Sequence, residues 1–191
     1  MHRARPNLFE GQLEPALPAG FRHRPELLEA AEERQLLKDM EGLDFQPFNF
    51  HGFLGKRRTV SFGWRYAFDG TGLTKAEAIP PFILPFREKA AAAFDLVPEE
   101  LEQVLFIEYP PDATIGWHKD RPVFGRVIGI SLLSACTFRF RRKAGTAWER
   151  RSLVLEPRSA YLLEGEVRND WEHSIPPVPS LRYAITFRSL R

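Results

Sequence analysis

From residue 103 onward the chain is a succession of short runs in which apolar and polar residues alternate, with no helical period between them. These are QVLFIEY (103–109), ATIGWHKD (113–120), VIGISLLS (127–134), CTFRFRRK (136–143), RSLVLEP (151–157), SAYLLEG (159–165) and LRYAITFRSL (181–190). Proline, glycine, aspartate and charged turns separate them. Many short strands without crossover helices argue against a parallel α/β sheet and for an antiparallel sandwich or barrel.

The N-terminal half reads differently. Residues 1–24, with Pro6, Pro15, Pro18 and Gly20 among scattered arginines, read as an extended arm on the surface. From Pro25 to about Gly42, Leu27, Leu28, Ala31, Leu36, Leu37 and Met40 recur at helical spacing, with proline early and glycine at the end. A second helix is predicted from about Pro81 to Phe94, broken or bent near Pro85. Between the helices, residues 45–68 are rich in aromatic and β-branched residues and predict two strands around a loop, HGFLGKRR. The fold class is therefore mainly β (α+β), with the strands packed against N-terminal helices.

At 191 residues the chain suits a single domain spanning 1–191. Its formal charge of +2 excludes a globally basic nucleic-acid binder, so any such affinity must come from local patches. The single cysteine, Cys136, permits neither an internal disulfide nor a zinc cluster. The N-terminus lacks the apolar core of a secretory signal, and no apolar run is long enough for a membrane span. A cytoplasmic monomer is expected.

In GWHKD, His118 and Asp120 stand two apart on a predicted strand, which turns both side chains to one face. Two imidazoles and a carboxylate on one side of an octahedral iron leave room for a bidentate 2-oxo acid and dioxygen. His2 and His23 lie in the arm and His51 in a glycine-flanked loop, so His173, just ahead of the last strand, is the best second imidazole. Alone, the pair would serve equally as a surface ion pair.

On the last strand Arg182, Ala184, Thr186 and Arg188 alternate with Tyr183, Ile185 and Phe187. A buried guanidinium without an anion is costly. A dicarboxylate along this face would supply one, forked by one arginine while the other meets its metal-side carboxylate or Asp120. Tyr109 could add a phenolic hydrogen bond. An exposed edge strand with solvated arginines would show the same pattern.

The order Tyr109, HxD, His173 and RYAITFR resembles the AlkB family of Fe(II)/2-oxoglutarate dioxygenases, which repair alkylated bases by oxidative dealkylation. The resemblance rests on EYPPDATIGWHKD (108–120), the WEHSIPP turn and the terminal RxxxxxR. A further echo, RRTVSFGWRYAFDG (57–70), looks like that family's nucleotide-recognition lid, with Phe62 and Gly63 as its aromatic and glycine pair.

The resemblance implies a double-stranded β-helix (jelly roll) with its catalytic core over about 103–191 and the lid over about 45–70. It implies Fe(II) on His118, Asp120 and His173, 2-oxoglutarate on Tyr109, Arg182, Thr186 and Arg188, dioxygen as oxidant, and alkylated DNA or RNA as partner. Ile107 and Ala184 stand where many members carry asparagine, which removes two hydrogen bonds to the co-substrate, and Asp112 lies near a family glycine. Where some members place an acidic residue that reads a cationic damaged base, this chain has Arg121 and Pro122. A neutral adduct, an RNA base or another substrate is therefore open.

A base must leave its stack to reach buried iron, and aromatic residues then grip it. Phe62, Trp64 and Tyr66 alternate along one predicted strand and would line the pocket or the core. Trp117 and Phe124 carry the same ambiguity. Lys56, Arg57 and Arg58, and Arg139, Arg141, Arg142 and Lys143, would follow phosphates or form solvated faces. Two alternatives stand beside base dealkylation: a same-fold oxygenase acting on a protein side chain or small molecule, and a non-catalytic β-sandwich that binds nucleic acid.

Overall fold

Two antiparallel sheets face each other in the computed structural model, which describes residues 16–50 and 53–191. In chain order the elements are β1 (Phe21–Arg24), α1 (Ala30–Met40), β2 (Gln46–Phe50), β3 (Phe53–Phe62), β4 (Trp64–Ala67) and β5 (Gly72–Lys75). Then come α2 (Leu84–Ala93), β6 (Gln103–Tyr109), β7 (Ile115–His118), β8 (Phe124–Leu132), β9 (Cys136–Ala144) and β10 (Ala147–Leu155). The chain closes with β11 (Ala160–Leu163), α3 (Gly165–Asn169), β12 (Glu172–Ile175) and β13 (Arg182–Leu190). The larger sheet runs β1-β11-β8-β13-β6-β3-β2, the smaller β10-β9-β12-β7, and β4 pairs with β5 as a separate hairpin. This is the jelly-roll architecture expected, mostly β with helices on one side.

Strand alternation divides the apolar residues between two cores. Val104, Phe106, Ile128, Ile130, Ile185 and Phe187 face α1 and α2 on the outside of the larger sheet. Ile107, Tyr109, Val127 and Ala184 face inward, against Phe138, Phe140 and Ile175 of the smaller sheet. β13 lies between β8 and β6, so it is no edge strand, and its arginines point between the sheets.

Several boundaries differ from the sequence reading. Residues 1–15 of the expected arm lie outside the described residues, while Phe21–Arg24 is not an arm at all: it pairs antiparallel with Ala160–Leu163 as the edge of the larger sheet. The first helix begins at Ala30, not Pro25, because Glu26 takes a left-handed turn (φ 51) and the Glu29 amide is closed by the Glu32 carboxylate at 2.7 Å. Leu27 and Leu28 are buried from the turn itself. Pro85 sits in the first turn of α2, entered from a 3-10 turn at Pro81–Ile83, where no amide hydrogen is needed.

The loop expected over HGFLGKRR is largely strand, since β3 starts at Phe53; residues 51–52 lie outside the described residues. RRTVSFGWRYAF is two strands rather than one. Gly63 at φ 75 breaks it, and a Cβ there would come 2.1 Å from the Glu102 carbonyl oxygen. The short helix α3 falls where only strands were expected.

Candidate functional site

His118 is the last residue of β7, and His173 on β12 is its cross-strand partner, so the sheet itself stacks the two rings with centroids 4.2 Å apart. Asp120 is not on the strand as the sequence reading had it, since β7 ends at His118. Arginines bring it back. Arg188 Nη2 donates to Asp120 Oδ1 at 3.3 Å, and Arg168 clamps the following loop through the Arg121 and Phe124 carbonyls at 2.7 Å each. His173 Nε2 lies 3.7 Å from Asp120 Oδ2, and one ligand atom from each of the three residues falls within 4.8 Å of the others. His2 and His51 lie outside the described residues, and His23 is on the edge strand β1.

The protonation states suit a metal. Burial and the neighbouring His118 push His173 down to about 3, and burial also lowers His118, so both imidazoles are neutral donors near pH 7. His118 Nδ1 lies 2.9 Å from the Gly116 carbonyl; a proton on that nitrogen leaves Nε2 as the free lone pair. Burial alone would raise the Asp120 carboxyl, but Arg188 and the two imidazoles hold it well below the usual carboxylate range.

Beside this triad the inner face of β13 is almost dry: Arg182 is 1% exposed, Thr186 4% and Arg188 9%. Arg182 Nη2 reaches Ser131 Oγ at 3.1 Å, and its guanidinium lies 5.1 Å from the Tyr109 ring centroid. Arg188 Nη1 donates to Gln103 Oε1 at 3.0 Å. Among the described residues, Arg182 Nε and Nη1, Thr186 Oγ1 and Arg188 Nε are buried without a hydrogen-bond partner. Cys136 beside Arg182 has its thiol raised by burial and supplies no charge. Unfilled donors on a buried cation call for an anion.

The structure sorts the remaining candidates. Phe62 is 7% exposed and packs edge-on against Phe106 at 5.8 Å on the helix side, while Trp64, past the Gly63 break, carries Lys75 at 4.4 Å over its ring. Phe62, Tyr66 and Arg121 line the cavity that opens onto the triad, Trp64 is not among its lining residues, and Arg121 lies 4.7 Å from the Tyr66 centroid. Trp117 is on the face of β7 away from His118, against Arg139 and Arg141. Phe124 lies beneath Arg188, 5.2 Å from its guanidinium carbon.

The basic clusters are divided by strand alternation and by ion pairing. Arg58 binds Glu108 at 2.7 and 2.8 Å and exposed Lys56 lies 3.7 Å from Asp112, whereas Arg57 lines the cavity. Arg141 pairs with Glu172, and Arg142 with Glu149 and Glu166.

Arg57, read in the sequence only as part of a basic run that would follow phosphates, lines the cavity, and Arg168, Ser131 and Tyr161 support the site and were missed in the sequence. The signal for the last two was the run VIGIS, whose small inward residues make room. The Tyr161 ring lies over Gly129, where a Cβ would come 2.2 Å from it.

A family model described as the 2OG-Fe(II) oxygenase superfamily matches residues 26–188, which include the triad and both β13 arginines. The chain belongs to the 2OG-Fe(II) oxygenase superfamily. Oxygenases of this superfamily use Fe(II), 2-oxoglutarate and dioxygen, and the triad with its unfilled guanidinium donors fits that set. The chain is 27% identical over 176 residues to an alkylated DNA repair protein ALKBH8 homolog of Arabidopsis thaliana, covering 80% of this chain and 49% of that protein. It spans about half the length of the curated relatives it matches.

Among solved structures it resembles OsALKBH1, with a TM-score of 0.66 at 15% identity over 92% of this chain and 100% of that one. It also resembles a Pseudomonas putida prolyl-4-hydroxylase, with a TM-score of 0.58 at 17% identity over 90% and 93% of the two chains. Among the described residues no helix is long and apolar enough to cross a membrane.

Proposed function

We propose that this oxygenase oxidatively dealkylates alkylated bases of DNA or RNA, with His118, Asp120 and His173 holding the iron and Arg182, Arg188, Tyr109 and Thr186 holding 2-oxoglutarate. The observation that carries the reading is the pair of inward guanidiniums with unfilled donors beside a His-Asp-His cluster, in a cavity also lined by aromatic residues. The AlkB names of a relative and of a structural neighbour support the nucleic-acid part.

When bound, Fe(II) with 2-oxoglutarate and dioxygen supplies the oxidant for hydroxylating an alkyl carbon, and the product sheds an aldehyde to restore the base. The chain's own residues position and shield. Arg182, with two free donors, forks the carboxylate of 2-oxoglutarate remote from the metal, and Thr186 adds a hydroxyl on the same face. Arg188 holds Asp120 ionised and oriented, and its remaining buried donor would be available to the co-substrate. Leu105, Ile107 and Val127 exclude water from this floor, and β2 to β5 form the lid over it.

The test is a panel of singly modified oligonucleotides incubated with Fe(II), ascorbate and 2-oxoglutarate and followed by mass spectrometry. Loss of one alkyl mass with stoichiometric succinate is expected, and it should vanish in His118→Ala. Succinate release stimulated only by peptides or small metabolites would overturn the base reading and favour the alternative oxygenase classes.

A further inference from the structure

One wall of the cavity is an unbroken chain of stacked groups with a guanidinium at each end. Arg57 lies 3.8 Å from the Phe48 ring centroid, Phe48 meets Phe68 edge-on at 5.6 Å, and Phe68 meets Tyr66 edge-on at 5.2 Å. Arg121 closes the other end, 4.7 Å from Tyr66 and 5.0 Å from Phe68. All five residues line the cavity that also holds His118, Asp120 and His173. Arg57 and Thr59 share one face of β3 and line the cavity together with Tyr109.

The charges around the floor do not balance. Arg57 and Arg188 line the cavity and Arg182 lies buried against the Tyr109 ring, and among the described residues the buried carboxylate facing them is that of Asp120. A divalent metal and a dicarboxylate co-substrate cancel one another, so the loaded site retains a positive surplus. Asp44, Asp69 and Glu77 also line the cavity but are exposed, where water and salt screen them. Guanidiniums do not lose their proton at any working pH, so the surplus is permanent.

We propose that the site selects an uncharged alkylated base and rejects bases that are cationic at neutral pH, with Arg57 as the specificity-determining residue. This rests on the base-dealkylation reading and narrows it to one class of substrate. A cationic base entering the cavity gives up its hydration and meets like charge in a weakly screened space. An uncharged base keeps the stacking surface of Phe48, Phe68 and Tyr66 without that repulsion. Its carbonyl oxygens can also take guanidinium donors, such as the Arg121 Nε that is buried without a partner.

The experiment uses two single-stranded oligonucleotides identical except for one base, 3-methylthymine, which is uncharged, or 1-methyladenine, which is cationic at neutral pH. Demethylation is followed by mass spectrometry with Fe(II), ascorbate and 2-oxoglutarate. Binding is followed separately by fluorescence anisotropy with Mn(II) and N-oxalylglycine, where no turnover occurs. The 3-methylthymine strand should be favoured by about tenfold or more in both kcat/KM and Kd. Arg57→Gln should shrink the preference to below about threefold, whereas Arg57→Lys should keep most of it.

A wild-type preference for 1-methyladenine, or an unchanged ratio in folded Arg57→Gln, overturns the assignment. If Arg57→Gln does not fold by circular dichroism, Arg121→Gln carries the same comparison, and no change in its ratio is the overturning result. Turnover of neither strand by protein that still binds Mn(II) and 2-oxoglutarate would instead defeat the base-dealkylation reading on which the selection rests.

Discussion

Arg182 and Arg188 share a strand face but are held differently. Arg188 has Asp120 and Gln103 as partners, whereas Arg182 has Ser131 and two buried donors with none. In the proposed function Arg182 therefore depends more on the co-substrate, and the co-substrate on its fork. Arg182→Lys keeps the charge but loses the paired donors, and calorimetric titration with 2-oxoglutarate on the Mn(II) form should show Kd raised by at least about tenfold. An unchanged Kd would remove Arg182 from the co-substrate site.

The alternation that exposed these two arginines was legible in LRYAITFRSL, because every second residue of a strand shares a face. Arg57 was legible only as one of a basic run. In Lys56, Arg57 and Arg58 the same alternation must send one guanidinium to each side, but which side is cavity depends on how the sheet is packed.

At the scale of elements, β3 carries Arg57 and is pinned to β6 by Arg58, whose guanidinium grips Glu108 from the neighbouring strand. The Arg58 hydrogen bond lowers the Glu108 carboxyl in the folded protein, against the opposing effect of burial. A depressed folded-state pKa gives stability that is present above the ordinary carboxylate value of 4.5 and lost as pH falls through the folded one. Arg58 is about half exposed, so Arg58→Ala should lower stability by only about 1 kcal/mol at pH 7. In urea unfolding the gap between variant and wild type should narrow towards pH 3; a gap independent of pH would show that the pair contributes nothing.

The hairpin was partly misread in the sequence because glycine, lysine and arginine are typical of loops. In β3 they are tolerated by pairing with β2 and β6, a non-local contact that local propensity does not encode. The Gly63 break was hidden for a related reason. What forbids a side chain there is the carbonyl of Glu102, far along the chain.

Across the whole molecule, two sheets enclose a floor of buried donors that the protein alone leaves unfilled. Anything that pairs them stabilises the fold by mass action. Mn(II) with 2-oxoglutarate at a hundredfold excess over Kd should add about 2.7 kcal/mol, which for a chain of this size raises Tm by roughly 5–10 °C. A chelator should reverse the shift, and His118→Ala should abolish the metal's part of it, both read by differential scanning fluorimetry. No shift with either ligand would mean that the triad does not take a metal.

Periodicity and residue chemistry were enough to establish a mainly β chain and to single out the HxD pair, the later imidazole and the alternating arginine face as candidates, because each is a local pattern. Tertiary structure decided the rest. Asp120 lies past the strand end and is aimed by Arg188 and Arg168, Phe62 and Trp64 part company at Gly63, and of the two basic runs Arg57 enters the cavity while Arg58, Arg141 and Arg142 pair with carboxylates. Contacts between residues remote in sequence set these outcomes, and their signs depend on which face of each strand the fold covers.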